Sequence, residues 1–168
     1  MPGGPKELMN YLEKLGIDSE TVEHPEVFTV EAMMTHLNMK NLNGVVVKNL
    51  FMKDKKKKGL WLITVPHDRE VNLTDLGKKV NAPGGLRFAD ESILLEKLGV
   101  AQGCVTPLAL FNDVNHDVKF VLDDDILEGG HNKVYSHPMR NSATTGITAE
   151  DFLKFLKATG HEPIRVVF

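Results

Sequence analysis

The stretch Gly44-Val45-Val46-Val47-Lys48-Asn49-Leu50-Phe51-Met52 constrains this chain most. A run of β-branched and apolar residues favours a strand, and strand side chains alternate between the two faces of a sheet. Val45, Val47 and Asn49 then share one face, and Val46, Lys48 and Leu50 share the other. An ammonium and an amide stand side by side in an apolar run, with no charge partner next to them. Taking a charge out of water is costly, so such a lysine needs an account. Either it snorkels at a sheet edge, or it waits in a pocket for a ligand's negative charge. A second strand-like run, Leu60-Trp61-Leu62-Ile63-Thr64-Val65, follows a basic cluster from Lys53 to Lys58 that Asp54 interrupts and Gly59 closes. Two runs so joined predict a hairpin with solvated lysines at its tip, a weak phosphate-steering patch being the alternative for the cluster.

The remaining sequence alternates short helices and short strands. Leu8, Met9, Leu12 and Leu15 form one face of a helix from Lys6 to Leu15, with Gly16 as its stop. Thr21 to Glu23 reads as a strand ended by His24-Pro25, and Thr29 as the cap of a helix to about Leu37. Thr74 is expected to cap a helix from Asp75 to Val80, before the loop signal Asn81-Ala82-Pro83-Gly84-Gly85. Leu86 to Ala89 is a short strand, and Asp90 caps the helix Glu91 to Leu98. Thr106 caps a short helix with Pro107 in its first turn, ending about Phe111. Strands are expected at Val118–Leu122, Val134–His137 and Ile164–Phe168, with a turn or one-turn helix at Asp123-Asp124-Asp125. A last helix opens at Thr148 and buries Phe152, Leu153, Phe155 and Leu156. No regular βαβ rhythm emerges, so the fold class is α+β.

Composition narrows the function classes. With 168 residues, one domain over the whole chain is the natural reading, and 42% apolar and 26% charged residues are ordinary for a soluble globular protein. No apolar run approaches the ~20 residues that span a bilayer, so no membrane role is expected. The first residues lack the basic and apolar regions of a signal peptide, and Cys104 is the single cysteine; both fit a cytoplasmic protein. A net charge of −3 argues against sequence-independent binding along a polyanion, but not against gripping one small part of a nucleic acid.

Phosphate loops, dinucleotide fingerprints and HExxH are absent, and no pair of the seven histidines has metal-ligand spacing. No metal and no cofactor is therefore expected. Cys104 has no adjacent base or basic neighbour and reads as a structural thiol. Three polar segments remain. Lys48-Asn49 offers a cation and an amide; the Gly103–Pro107 turn offers backbone N–H groups able to hold an oxyanion. His137-Pro138-Met139-Arg140-Asn141-Ser142-Ala143-Thr144-Thr145 leaves a strand sharply, holding the ring near the strand end. An edge lysine, a plain cap and a plain turn would fit each segment taken singly.

Val47-Lys48-Asn49-Leu50-Phe51, Gly103-x-x-x-Pro107 and His137-Pro138-x-x-Asn141-x-x-Thr144 resemble the freestanding relatives of the bacterial prolyl-tRNA synthetase editing insertion, within the wider YbaK-like aminoacyl-tRNA deacylases. Glu23-His24-Pro25 with Thr29-Val30-Glu31-Ala32, and Leu86-Arg87-Phe88-Ala89, extend the match over nearly the whole chain in order. The resemblance implies a mixed, mostly antiparallel sheet with a barrel-like core and short helices around it. It implies hydrolysis, without metal or acyl-enzyme, of the ester joining a wrong amino acid to the 3′ end of tRNA(Pro), with alanine the favoured acyl group. By similarity Lys48, Asn49, Gly103 and His137 carry the chemistry, while Phe51, Thr106, Pro107, Asn141 and Thr144 bind substrate. Lys48 would contact the terminal phosphate or nucleotide, and His137 the amino-acid end, with the substrate's 2′-hydroxyl helping to organise water. Docking to prolyl-tRNA synthetase or another synthetase stays open. A non-catalytic module that holds tRNA or a synthetase, and a hydrolase of free esters or thioesters, are the alternatives.

Overall fold

The computed structural model describes residues 3–26, 44–56, 59–82 and 84–168. The helix expected from Thr29 to about Leu37 lies outside the described residues. Among those described, eight strands form one mixed sheet: β1 (Glu20–Glu23), β2 (Gly44–Asp54), β3 (Leu60–Pro66), β4 (Leu86–Phe88), β5 (Val118–Asp123), β6 (Lys133–Ser136), β7 (Ala143–Thr148) and β8 (Ile164–Val166). Their order is β1-β7-β6-β2-β3-β5-β8, with β4 paired to β2 beside that path. The pairings β1–β7, β2–β3, β2–β4 and β6–β7 are antiparallel, while β2–β6, β3–β5 and β5–β8 are parallel. This is the α+β fold with a mixed sheet and short helices that the sequence and its resemblance predict.

The hairpin forms as expected, with Val47 opposite Pro66 and Lys53 opposite Leu60. Alternation sorts its side chains onto two cores. Val45, Val47, Phe51, Leu60 and Leu62 join Leu8 and Leu12 of α1 (Pro5–Lys14) and Leu94 and Leu98 of the helix Glu91–Leu98 on one face. Met52, Trp61, Ile63 and Val65 join Leu76 of α2 (Leu73–Lys79) on the other. Burial on both faces explains why β3 reads as an apolar run interrupted only by Thr64. Each fully buried side chain of this kind contributes about 1.5–3 kcal/mol. Lys55 and Lys56 are exposed near the hairpin tip, as a solvated turn requires, whereas Asp54 is buried and accepts the Lys56 N–H at 2.8 Å.

Two local expectations are corrected. Asn72, not Thr74, caps α2: its side-chain oxygen accepts the N–H groups of Thr74 and Asp75 at 3.0 and 3.1 Å, which starts the helix earlier. Residues Ala143 to Thr145 belong to a buried strand, β7, rather than to a turn. Their hydroxyls are satisfied across the sheet, as in the Thr21–Thr145 pair at 2.8 Å, so a threonine-rich segment is buried at little cost. The helix Glu91–Leu98 is α3, the one-turn helix Asp125–Glu128 is α4, and the last helix, Ala149–Thr159, is α5. Beyond α5, His161 Nε2 meets Asp113 Oδ2 at 2.8 Å with both side chains buried. The Asp113 carboxylate also accepts the N–H groups of Asp117 and Val118, tying the end of α5 to the start of β5.

Candidate active site

The sheet is interrupted where Lys48 lies. On one edge β2 pairs with β3 over Val47–Lys53. On the opposite edge β6 reaches only Gly44–Val46, and β4 only Met52–Asp54. Among the described residues, no strand lies beside the segment between them. The His67 N–H donates to Val46 O on the β3 side, and the Ala89 N–H to Phe51 O on the other. Antiparallel alternation therefore turns the main-chain groups of Val47 and Asn49 toward the gap. Gly44 admits β6 at the edge of this gap, because a Cβ there would sit 2.0 Å from Lys133 O.

A cavity of about 300 Å³ fills the interruption. Val47, Lys48, Asn49, Phe51, Gly103 and His137 line it, with Val105, Ser136, Gln102, Leu94, Glu91, Phe88 and Ala89 completing the wall. Lys48, Asn49, Phe51, Gly103 and His137 are thus brought together from three separate parts of the sequence. The other four predicted residues do not line the cavity. Thr106 is fully buried and uses its hydroxyl to accept the Leu108 N–H at 3.3 Å, capping the 3-10 turn Pro107–Asn112. Pro107 is buried in the first turn of that segment. Asn141 and Thr144 are buried behind His137, where the Thr144 hydroxyl meets His24 Nε2 at 2.8 Å.

Asn49 has a different setting from the one expected of a group that only faces substrate. Its oxygen accepts the buried Thr64 hydroxyl, and its Nδ2–H donates to Val105 O at 3.2 Å. The amide thereby braces the Gly103–Pro107 turn against β2. Gly103 itself has φ +93°, a conformation that costs an L side chain on the order of 1–3 kcal/mol. Cys104, next in sequence, is half-buried, and burial pushes its thiol up despite a hydrogen bond from the Asn141 backbone. It is therefore a poor nucleophile at neutral pH.

His137 stands just past the end of β6. A carbonyl only accepts, so the 2.8 Å contact between His137 Nδ1 and Ala143 O places the proton on Nδ1 and leaves the lone pair on Nε2. Burial holds the ring below the usual imidazole value of 6.5, and the neighbouring His24, with ring centres 6.2 Å apart, works the same way. The hydrogen bond to Ala143 opposes both without reversing them. The turn after His137 is pinned by Arg140, which grips both carboxylate oxygens of Glu23 on β1. Lys48 is half-buried, and among the described residues it has no carboxylate within ion-pair distance. Among the described residues, no three His, Cys, Asp or Glu side chains cluster as metal ligands, and no helix is long and apolar enough to cross a membrane.

Sequence reasoning did not place Phe88, Ala89, Glu91, Leu94, Gln102 or Ser136 on the cavity wall, nor His24 beside His137. Phe88-Ala89 was visible as a family match, but nothing in its spacing ties it to the cavity. Only the gap between β6 and β4 does so.

Comparison with known proteins identifies the family. The model of the aminoacyl-tRNA editing domain matches residues 24–155. The chain is similar to prolyl-tRNA synthetase associated domain-containing protein 1 of Mus musculus, at 61% identity over 163 residues, covering 96% of this chain and 95% of the relative. It is similar to the prolyl-tRNA editing protein ProX of Acetoanaerobium sticklandii, at 33% identity over 150 residues and 89% and 88% coverage. A crystal structure of a proposed trans-editing enzyme for prolyl tRNA synthetase shares the fold, with a TM-score of 0.67, 23% identity and coverage of 98% and 96%. On the family match and on identities that run nearly end to end, this chain belongs to the aminoacyl-tRNA editing domain family.

Proposed function

We propose that this chain hydrolyses the ester that joins a wrong amino acid to the 3′-terminal adenosine of tRNA(Pro), with alanine as the favoured acyl group. The observation that carries the reading is one cavity bordered by an ammonium with no carboxylate partner among the described residues, a glycine turn and a neutral imidazole lone pair. An aminoacyl ester is already activated, so catalysis needs a positioned water and donors for the developing oxyanion. Lys48 takes the phosphate of the terminal nucleotide. The Gly103 turn, braced by Asn49, presents amide N–H groups to the ester carbonyl. His137 Nε2 accepts a hydrogen bond from the substrate's amine or its ribose hydroxyl, which fixes the ester against the turn. The 2′-hydroxyl of the substrate helps to order the attacking water, so no side chain needs to act as a strong base. Val47, Phe51, Leu94 and Val105 line the cavity; as walls of the acyl end they would reject the larger proline ring by contact and admit alanine.

Several features support this reading: the family membership, the bacterial relative's name and the cavity chemistry. The test is deacylation of Ala-tRNA(Pro) and Pro-tRNA(Pro) by the wild type, Lys48→Ala and His137→Ala. Wild type should clear Ala-tRNA(Pro) well above the spontaneous rate and spare Pro-tRNA(Pro). Each variant should lose at least about tenfold, which corresponds to about 1.4 kcal/mol, the size of one polar contact. A wild type no faster than spontaneous hydrolysis would overturn the assignment and favour a non-catalytic binding module. Full activity in Lys48→Ala would overturn the site instead.

A further inference from the structure

Phe88 is the one aromatic among the large apolar side chains that the described residues leave exposed, at 63%. It stands on the wall of the cavity, opposite Met52 in the β2–β4 register. Directly opposed residues of an antiparallel pair share a face, and so do alternate residues along a strand. Phe88 therefore lies on the same face of the sheet as Lys48, roughly 13 Å along β2 at about 3.3 Å per residue. Leu86, on that same face, is buried at 5%, so packing alone does not explain a ring left in water two positions further on. The strip presents an ammonium with no carboxylate partner among the described residues, a half-buried Leu50 and then an open aromatic ring. A phosphate followed by a base has the matching chemistry and a comparable reach.

We infer that Phe88 is the stacking platform for an unpaired base of an RNA 3′ end, next to the nucleotide whose phosphate Lys48 takes. The inference rests on the reading of Lys48 given under the proposed function and names a further contact of the same site. The occupant is single-stranded, because a paired base has both faces covered by its stack, whereas a splayed base offers one to an aromatic side chain. Phe88 is a positioning residue: it holds the strand in line and touches none of the reacting atoms.

The test uses the full chain and an uncharged RNA hairpin with a single-stranded 3′ CCA end, carrying 2-aminopurine in place of the penultimate base. Binding to wild type should quench the 2-aminopurine emission. Phe88→Ala and Phe88→Leu should each bind about tenfold more weakly and lose the quench, since stacking on an aromatic ring contributes about 1–3 kcal/mol per base. Phe88→Tyr should keep both signals. Quenching and affinity unchanged in Phe88→Ala, or full retention by Phe88→Leu, would overturn the platform, as would a wild type that fails to bind the hairpin. Thermal unfolding of each variant checks that the exposed substitution leaves the fold intact. The probe carries no ester, so the result is independent of hydrolysis. A protein that quenches through Phe88 but hydrolyses nothing keeps the platform and loses the deacylase reading; an active enzyme indifferent to Phe88→Ala does the reverse.

Discussion

His137 shows how one hydrogen bond sets the chemistry of a side chain. The Ala143 carbonyl fixes the proton on Nδ1, and burial keeps the ring neutral, so Nε2 can only accept. In the role proposed for His137 the neutral imidazole is the competent form, and its pKa is lowered below 6.5. Activity that depends on His137 should therefore be complete at neutral pH and fall only on the acid side of the usual imidazole value. The ratio of enzymatic to spontaneous deacylation, followed from pH 5 to 8, checks this. An inflection above 6.5 that vanishes in His137→Gln would contradict the assigned tautomer and its environment. Lys48 and His137 were legible because each breaks the pattern of its own segment, a cation in a valine run and a ring before proline. Asn49 was legible as a polar residue but not in its role, because its partners Thr64 and Val105 become neighbours only in the folded sheet.

At the scale of elements, the buried Asp113–His161 contact makes a separate claim. Burial by itself would raise the Asp113 pKa, but the His161 hydrogen bond and the backbone N–H groups of Val118 and Asp117 outweigh it and hold the carboxyl below its usual value. A depressed carboxylate stabilises the fold above its unfolded pKa, and that contribution is lost as pH falls through the folded one. Asp113→Asn should lower stability at pH 7 by about 3 kcal/mol, as expected when one partner of a buried pair is removed. It should also flatten the acid limb of a stability-versus-pH curve from denaturant unfolding; an unchanged acid limb would show that Asp113 does not carry it. Among the described residues the hairpin, the helices and the Thr106-Pro107 turn were readable from periodicity and caps, although Leu153, expected on the buried side of the last helix, is exposed. The strand β7 was not, since Ala143-Thr144-Thr145-Gly146 has the composition of a loop and becomes a strand only through cross-sheet partners on β1 and β6. The α2 cap was misplaced because Asn72 and Thr74 are both good capping residues, and only the N–H directions choose between them.

The molecule as a whole carries a net charge of −3, which fits a grip on the end of a nucleic acid rather than on its length. If the site engages two or three phosphates, log KM should rise with log salt concentration with a slope of roughly 1.5 to 2, given about 0.7 per phosphate for a single strand. A slope several times steeper in a salt titration of kcat/KM would mean that a far larger part of the RNA is held. The interruption in β2 has a bearing on solubility as well. Sheet edges left bare can recruit a strand from another molecule and seed aggregates. Here the bare length is closed at one end by β6 and at the other by β4, so no extended segment of a neighbouring chain has room to lie along it. Among the described residues, the main-chain groups of Val47 and Asn49 that turn toward the gap thus sit in a notch rather than along an open edge, which does not invite self-association at that point.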